Sequence, residues 1–182
     1  MGNQTSLTAE QLEAMKLESP FTEAEIKRLF RKFKKLDVDK SGTLSVQEFL
    51  AIPELEHNPL VNRVVHTFDM DKSGEVDFRE FVTSLSVFAT HETAESGHGK
   101  EQKYRFTFRV YDVDNDGFIS NADLYHVLKA MVGSNLNDVQ LQQLVDRTII
   151  QGDKDKDGKL SYEEFKDMVK DGELEQKLKI EF

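Results

Sequence analysis

Four twelve-residue segments, Asp37 to Glu48, Asp69 to Glu80, Asp112 to Asp123 and Asp153 to Glu164, repeat one arrangement of oxygen-bearing side chains. Positions 1 and 3 are always aspartate: Asp37 and Asp39, Asp69 and Asp71, Asp112 and Asp114, Asp153 and Asp155. Position 5 is Ser41, Ser73, Asp116 or Asp157, and position 6 is Gly42, Gly74, Gly117 or Gly158. Position 7 (Thr43, Glu75, Phe118, Lys159) offers its main-chain carbonyl, and position 9 is Ser45, Asp77, Ser120 or Ser161. Position 12 closes the set with Glu48, Glu80, Asp123 or Glu164. A hard cation of calcium's size takes about six to eight oxygens, and a tight loop supplies them only if alternate side chains turn inward and a glycine permits the sharp bend. The pattern therefore predicts four Ca2+ sites.

The sites are not equivalent. A glutamate at position 12 reaches back with both carboxylate oxygens, and Glu48, Glu80 and Glu164 suit that role. Asp123 is one methylene shorter, so it is expected to give a single oxygen and to move loop 3 toward Mg2+ tolerance or weaker calcium binding. Loop 1 has three ligand carboxylates (Asp37, Asp39, Glu48) against four in loop 2 (Asp69, Asp71, Asp77, Glu80). Affinity rises with ligand charge, so loop 1 is the weakest of the full sites on this count and the best regulatory candidate.

These loops must be held by flanking helices. They start 32, 43 and 41 residues apart, and helical periodicity surrounds each, giving an all-α chain built of helix–loop–helix repeats. The clearest helix start is the capping box of Thr22 and Glu25, followed by the stripe Ile26, Leu29, Phe30, Phe33 and Leu36. Phe33, Val65, Phe108 and Ile149 each stand four residues before a loop, and Phe49, Phe81, Leu124 and Phe165 each follow position 12. Recurrence at the same offsets predicts the same core in each helix pair. The apolar position-8 residues Leu44, Val76, Ile119 and Leu160 are expected to join the loops in pairs through short β bridges, so that loops 1 and 2 form one lobe and loops 3 and 4 another. A further helix start is expected at Asn137, with Gln140 as its partner, Leu136 and Leu141 as a staple, and Gly133 ending the preceding helix. Pro53 is expected to end the exiting helix of loop 1.

The resulting division is an N-terminal arm (1–20), an N-lobe (21–89), a polar linker (90–100), a C-lobe (101–170) and a C-terminal tail (171–182). The arm opens Met1-Gly2-Asn3-Gln4-Thr5-Ser6, which fits N-myristoylation of Gly2. One acyl chain binds a bilayer only marginally, so lasting attachment needs a second element. The basic run Lys27, Arg28, Arg31, Lys32, Lys34 and Lys35 offers one, although a solvated helix face is the commoner role for such a run. The stretch Thr8 to Glu18 suits a short helix with Leu12 and Met15 on one side, and the acyl group would then pack on protein.

Composition narrows the rest. The formal charge is -10, and 17 of the 34 Asp and Glu lie inside the loops, so the acidity belongs to the metal sites and nucleic acid is not an expected partner. There is no cysteine, which excludes a disulfide framework and a thiolate nucleophile and permits a reducing compartment. The start shows no secretory signal, and no stretch has the length of a membrane span. Sequences near catalytic motifs, His91-Glu92 with Glu95 and Gly97-His98-Gly99-Lys100, lack the second histidine of a zinc protease and the spacing of a phosphate loop. No catalytic residue is expected.

Taken together, these residues resemble the calcineurin B family of the EF-hand superfamily, the regulatory subunits of the calcium- and calmodulin-dependent serine/threonine protein phosphatase. The resemblance covers about Phe21 to Lys170. It rests on the four loops and on EIKRLFRKFKKLD (Glu25 to Asp37), PELEHNPLV (Pro53 to Val61), KEQKYRFTFRVYD (Lys100 to Asp112) and VLKAMVGSNLNDVQLQQLVDRTII (Val127 to Ile150). The last carries most weight, because metal binding does not demand it. The resemblance implies four EF-hands in two lobes, no activity of the chain's own, and an apolar groove that clamps a long amphipathic helix of the catalytic subunit. It implies that calcium in the C-lobe holds the heterodimer together and calcium in the N-lobe switches it, with calmodulin acting on the partner. It further implies that Leu128, Met131, Val132, Asn135 and Leu136 lie near the composite surface for docking peptides and immunophilin–drug complexes, with interior packing the alternative for Leu128 and Val132. A cytoplasmic protein, partly membrane-associated through the acyl group, is the expected location. The chain departs from the family in a longer linker, an extended arm and Asp123. Alternatives are a myristoylated neuronal-type calcium sensor and a calcineurin-B-homologous exchanger cofactor, whose N-terminal loops are commonly incomplete. A promiscuous sensor would be methionine-rich, whereas this chain has 13 Phe against five Met.

Overall fold

The structure, a computed structural model, describes residues 7–52, 55, 58–89 and 98–170. Gly2 and the acylation pattern, Pro53, most of the linker with its near-motifs, and the tail from 171 lie outside the described residues. Those described form helices α1 (Ala9–Glu18), α2 (Glu23–Leu36), α3 (Val46–Leu50), α4 (Val61–Phe68), α5 (Phe78–Ala89), α6 (His98–Tyr111), α7 (Asn121–Val132), α8 (Asp138–Gly152) and α9 (Tyr162–Lys170). The last three residues assigned to the linker, 98–100, make the first turn of α6. Two compact units divide the chain, 1–103 and 104–182.

Local chemistry sets the helix ends. Thr22 caps α2 and Asn137 caps α8, each in a reciprocal capping box with Glu25 or Gln140. Thr8 does the same for α1 with Gln11, and α1 buries Leu12 and Met15, the two residues expected on its inner side. Gly133 ends α7 with φ +55°.

In the first unit, Phe33 is 1% exposed and meets Phe78 and Phe81 edge-on at 5.3 and 5.5 Å between ring centres. Phe49 meets Phe68 at 5.9 Å. Such pairs contribute about 0.5–1.5 kcal/mol each beyond area burial; the Phe33 pairs hold the entering helix of loop 1 against the exiting helix of loop 2, and the Phe49 pair holds α3 against α4. Of the α2 stripe, Ile26 and Phe33 are buried, while Leu29, Phe30 and Leu36 are half-buried. In the second unit, Phe108 packs on Phe165 and Tyr162, both at 5.5 Å. The eight residues at recurring offsets, Phe33, Val65, Phe108, Ile149, Phe49, Phe81, Leu124 and Phe165, are all buried.

The predicted bridges are present, Leu44 with Val76 and Ile119 with Leu160, both antiparallel. Each is a reciprocal pair of main-chain hydrogen bonds, 2.7 and 2.9 Å in the first unit and 2.8 and 2.9 Å in the second. All four bridging side chains are at most 2% exposed. Backbone pairing and side-chain burial thus fix the two loops of a unit side by side.

Candidate calcium sites

Each loop closes by the same device. The glycine amide at position 6 donates to the position-1 aspartate: Gly42 to Asp37 at 3.2 Å, Gly74 to Asp69 at 2.8 Å, Gly117 to Asp112 at 3.1 Å and Gly158 to Asp153 at 2.8 Å. The turn needs left-handed backbone at two places. Position 6 has φ of 87 to 94°, which glycine adopts freely, and position 4 (Lys40, Lys72, Asn115, Lys156) has φ of 58 to 64°.

This turn gathers carboxylates. Ligand atoms of Asp37, Asp39 and Glu48, of Asp69, Asp71 and Glu80, and of Asp153, Asp155 and Glu164 lie within 4.8 Å of one another in their respective loops. In loop 3 the gathered set is Asp112, Asp114 and Asp116, without Asp123. Charge crowding is visible in the acids themselves. The Asp157 amide pulls Asp155 down, yet burial and the charges of Asp157, Glu164 and Asp153 lift it above its ordinary value. Burial also pushes Asp112 up, with Asp116 and Asp114 adding to it and the Gly117 and Asp116 amides opposing. Asp39 and Asp71 sit lower, because Ser41 and Ser73 donate to them.

Position 12 does two jobs. Glu48 accepts from the Val38 amide at 2.7 Å with one oxygen and from the Ser45 amide at 2.9 Å with the other, so it joins the loop's start to the exiting helix. Glu80 accepts from Met70 at 2.8 Å and Asp77 at 3.0 Å, and Glu164 from Lys154 at 2.7 Å and Ser161 at 2.9 Å. Asp123 accepts only from Ser120 among the described residues, amide at 2.9 Å and hydroxyl at 2.5 Å. Its side chain caps the helix and stops short of the loop's beginning, the geometric effect of one missing methylene.

The position-9 side chains Ser45, Asp77, Ser120 and Ser161 accept from the amide of position 12, so all are engaged at helix N-termini. That placement suits a ligand that reaches an ion through a water. At position 5, Ser41 and Ser73 donate to the position-7 carbonyls of Thr43 and Glu75 at 3.2 and 2.9 Å. Asp116 and Asp157 instead accept from the position-7 amides of Phe118 and Lys159.

The donor sets fit calcium. They are all oxygen, mostly anionic and drawn from one short loop each. In loop 1 the fit is sharpest, because Asp37 Oδ1 is buried with no hydrogen-bond partner while Oδ2 takes Gly42 and Lys34. A buried carboxylate oxygen left unpaired is costly, and a bound cation supplies the missing partner.

Of the residues proposed for a composite surface, Leu128, Met131, Val132 and Leu136 are half-buried and Asn135 is exposed. The buried residues of α7 are Asp123, Leu124 and Val127. The Tyr111 hydroxyl donates to the Met131 sulfur at 3.8 Å, and burial pushes that hydroxyl well above its ordinary range. Sequence reasoning missed the side chains that cross between loops: Thr43 donates to Glu75, and Lys159 pairs with Asp116 at 2.7 Å. The antiparallel bridges at position 8 set the position-7 residues of paired loops diagonally across from each other on one face, within reach of their side chains, and that was the available signal.

Paired loops with gathered carboxylates define a calcium-binding EF-hand protein. The family model for an EF-hand domain pair matches residues 27–86 and 101–170. The chain is 54% identical over 182 residues to the type 1 calcineurin B of Dictyostelium discoideum, covering 99% of this chain and 98% of that one. It is 56% identical over 178 residues to the type 2 calcineurin B of Homo sapiens, with 98% of each covered, and 51% identical over 178 residues to the calcineurin B of Naegleria gruberi, with 98% and 97% covered. The chain belongs to the calcineurin B family.

Proposed function

We propose that this chain is the calcium-binding regulatory subunit of a calcineurin phosphatase, with no catalytic residues of its own. The observation that carries the reading is likeness over nearly the whole length to chains named calcineurin B, together with four acid-gathering loops. The chain takes up Ca2+ in four loops through the residues named above, with loop 3 weaker or Mg2+-tolerant because Asp123 stands apart from its carboxylates. It forms a heterodimer with the calcineurin catalytic subunit and clamps an amphipathic helix of that partner between apolar walls. The C-lobe (101–170) maintains that assembly, and the N-lobe (21–89), with loop 1 the least charged, responds to calcium. Calmodulin acts on the catalytic partner. Leu128, Met131, Val132, Asn135 and Leu136 contribute to the composite surface for docking peptides and immunophilin–drug complexes, a role that the partial exposure of α7 supports.

The protein is cytoplasmic, and no helix among the described residues is long and apolar enough to cross a membrane. Gly2 carries myristate. A cavity of about 600 Å³ between α1 and the rest of its unit, lined in part by Leu7, Ala14, Met15, Phe30 and Phe78, supports packing of the acyl group on protein. Leu7 lies five residue steps beyond Gly2, an extended reach of at most about 18 Å.

The test is a tagged pull-down from native lysate in calcium and in chelator. A phosphatase catalytic subunit retained in both conditions is expected. Calcium-only capture of other targets, or an exchanger in its place, would move the chain to one of the sensor readings.

A further inference from the structure

We propose that Lys159 sets the cation affinity of loop 3 from its seat in loop 4. The Lys159 ammonium lies 2.7 Å from Asp116 Oδ2 and 5.3 Å from the centre of the Phe118 ring. Asp116 is one of the three carboxylates gathered in loop 3, so the pair places a positive charge inside that loop's ligand set. The reach, across 43 residues of sequence, is made possible by the antiparallel Ile119–Leu160 bridge, which sets Phe118 and Lys159 diagonally across from each other, within range of the long lysine stem.

The other unit shows what is particular here. There the matching neighbours are Thr43 and Glu75, which bond to each other and leave the aspartates untouched. Lys34 pairs with Asp37 in loop 1, but from the loop's own entering helix, three residues away. Lys159 carries its cation from loop 4 to an aspartate of the neighbouring loop 3. With Asp123 outside the gathered set, loop 3 has three close carboxylates, and Asp116 among them is paired with Lys159. An arriving divalent ion must take Asp116 from the ammonium.

This inference rests on the calcium reading above. Its test is a calcium titration of the full chain, following by NMR the amides of Gly117 and Gly158, each bonded to the first aspartate of its own loop. Lys159→Met keeps the stem over Phe118 and removes the charge, and Lys159→Arg keeps the charge. The pair is partly exposed, with 40% and 35% of the side chains accessible, so the expected change is modest. The Gly117 midpoint in Lys159→Met should fall to about 2- to 5-fold less calcium, with Gly158 unmoved and Lys159→Arg like the parent. An unmoved Gly117 midpoint overturns the proposal, as does an equal shift at both glycines, which would mark a general charge effect. Failure of the parent's own glycines to respond would instead remove the calcium reading, and this proposal with it.

Discussion

The Arg79 guanidinium grips the Glu18 carboxylate through two parallel hydrogen bonds, Nε to Oε2 at 2.8 Å and Nη2 to Oε1 at 2.5 Å. Glu18 is the last residue of α1, and Arg79 immediately precedes Glu80, the last residue of loop 2. Arg79→Ala should therefore loosen α1 while sparing the loop's carboxylates. Amide exchange is the measurement: faster exchange over residues 9–18 is expected, with loop 2 calcium binding little changed. Unaltered protection of α1 would mean that Leu12 and Met15 hold it without help.

Replacing Asp123 by glutamate should bring a fourth carboxylate to loop 3. Calorimetric titration of Asp123→Glu is expected to show one site tightened by about tenfold, equivalent to ~1.4 kcal/mol, and a reduced response to magnesium. An unchanged isotherm would show that the helix-capping bonds to Ser120 retain the longer side chain as well.

Glu164 gives a pH signature in the calcium-free protein. Burial pushes its carboxyl up, but the Ser161 hydroxyl and the Ser161, Lys154 and Asp155 amides outweigh that and hold it at about 2, below its ordinary 4.5. A lowered folded-state pKa stabilises the fold fully above the unfolded value, and the contribution disappears as pH falls through the folded one. Thermal melts in chelator between pH 4.5 and about 2 should fall less steeply for Glu164→Gln than for the parent. Parallel curves would count against the bonding described for this residue.

Gly152, the last residue of α8, is closed in by its neighbours. A Cβ there would come within 2.1 Å of Met168 Sδ and 2.6 Å of Leu160 Cδ2. Both are ends of flexible side chains, although Leu160 is held in the buried bridge. Gly152→Ala should cost about 1–3 kcal/mol, read by denaturant unfolding, and Met168→Ala in the same chain should recover part of the loss.

Much of this was legible because it is local. Thr22 with Glu25, and Asn137 with Gln140, declare their helices over three residues, and the acid–glycine spacing of each loop is complete within twelve. Recurring offsets made the buried phenylalanines readable as well. What stayed hidden depends on distant chain. Glu18 and Arg79 are 61 residues apart, and neither charge differs in kind from its solvated neighbours until the fold brings them together. The tight seat of Gly152 was equally hidden, since it comes from Met168 on another helix. The left-handed lysines at 40, 72 and 156 follow from loop geometry and not from residue preference, because lysine has no leaning toward that conformation.

The Ile119–Leu160 bridge also says what half a lobe would be. Cut between α7 and α8, either fragment would present a strand edge with an unmatched donor and acceptor, and a bare aliphatic side chain beside them. An edge of that kind is self-complementary in an antiparallel sense, so a second copy can close it as the natural neighbour does. The indivisible unit of this chain is therefore the couple of loops, and a solitary helix–loop–helix cut from it is a monomer in search of its mirror.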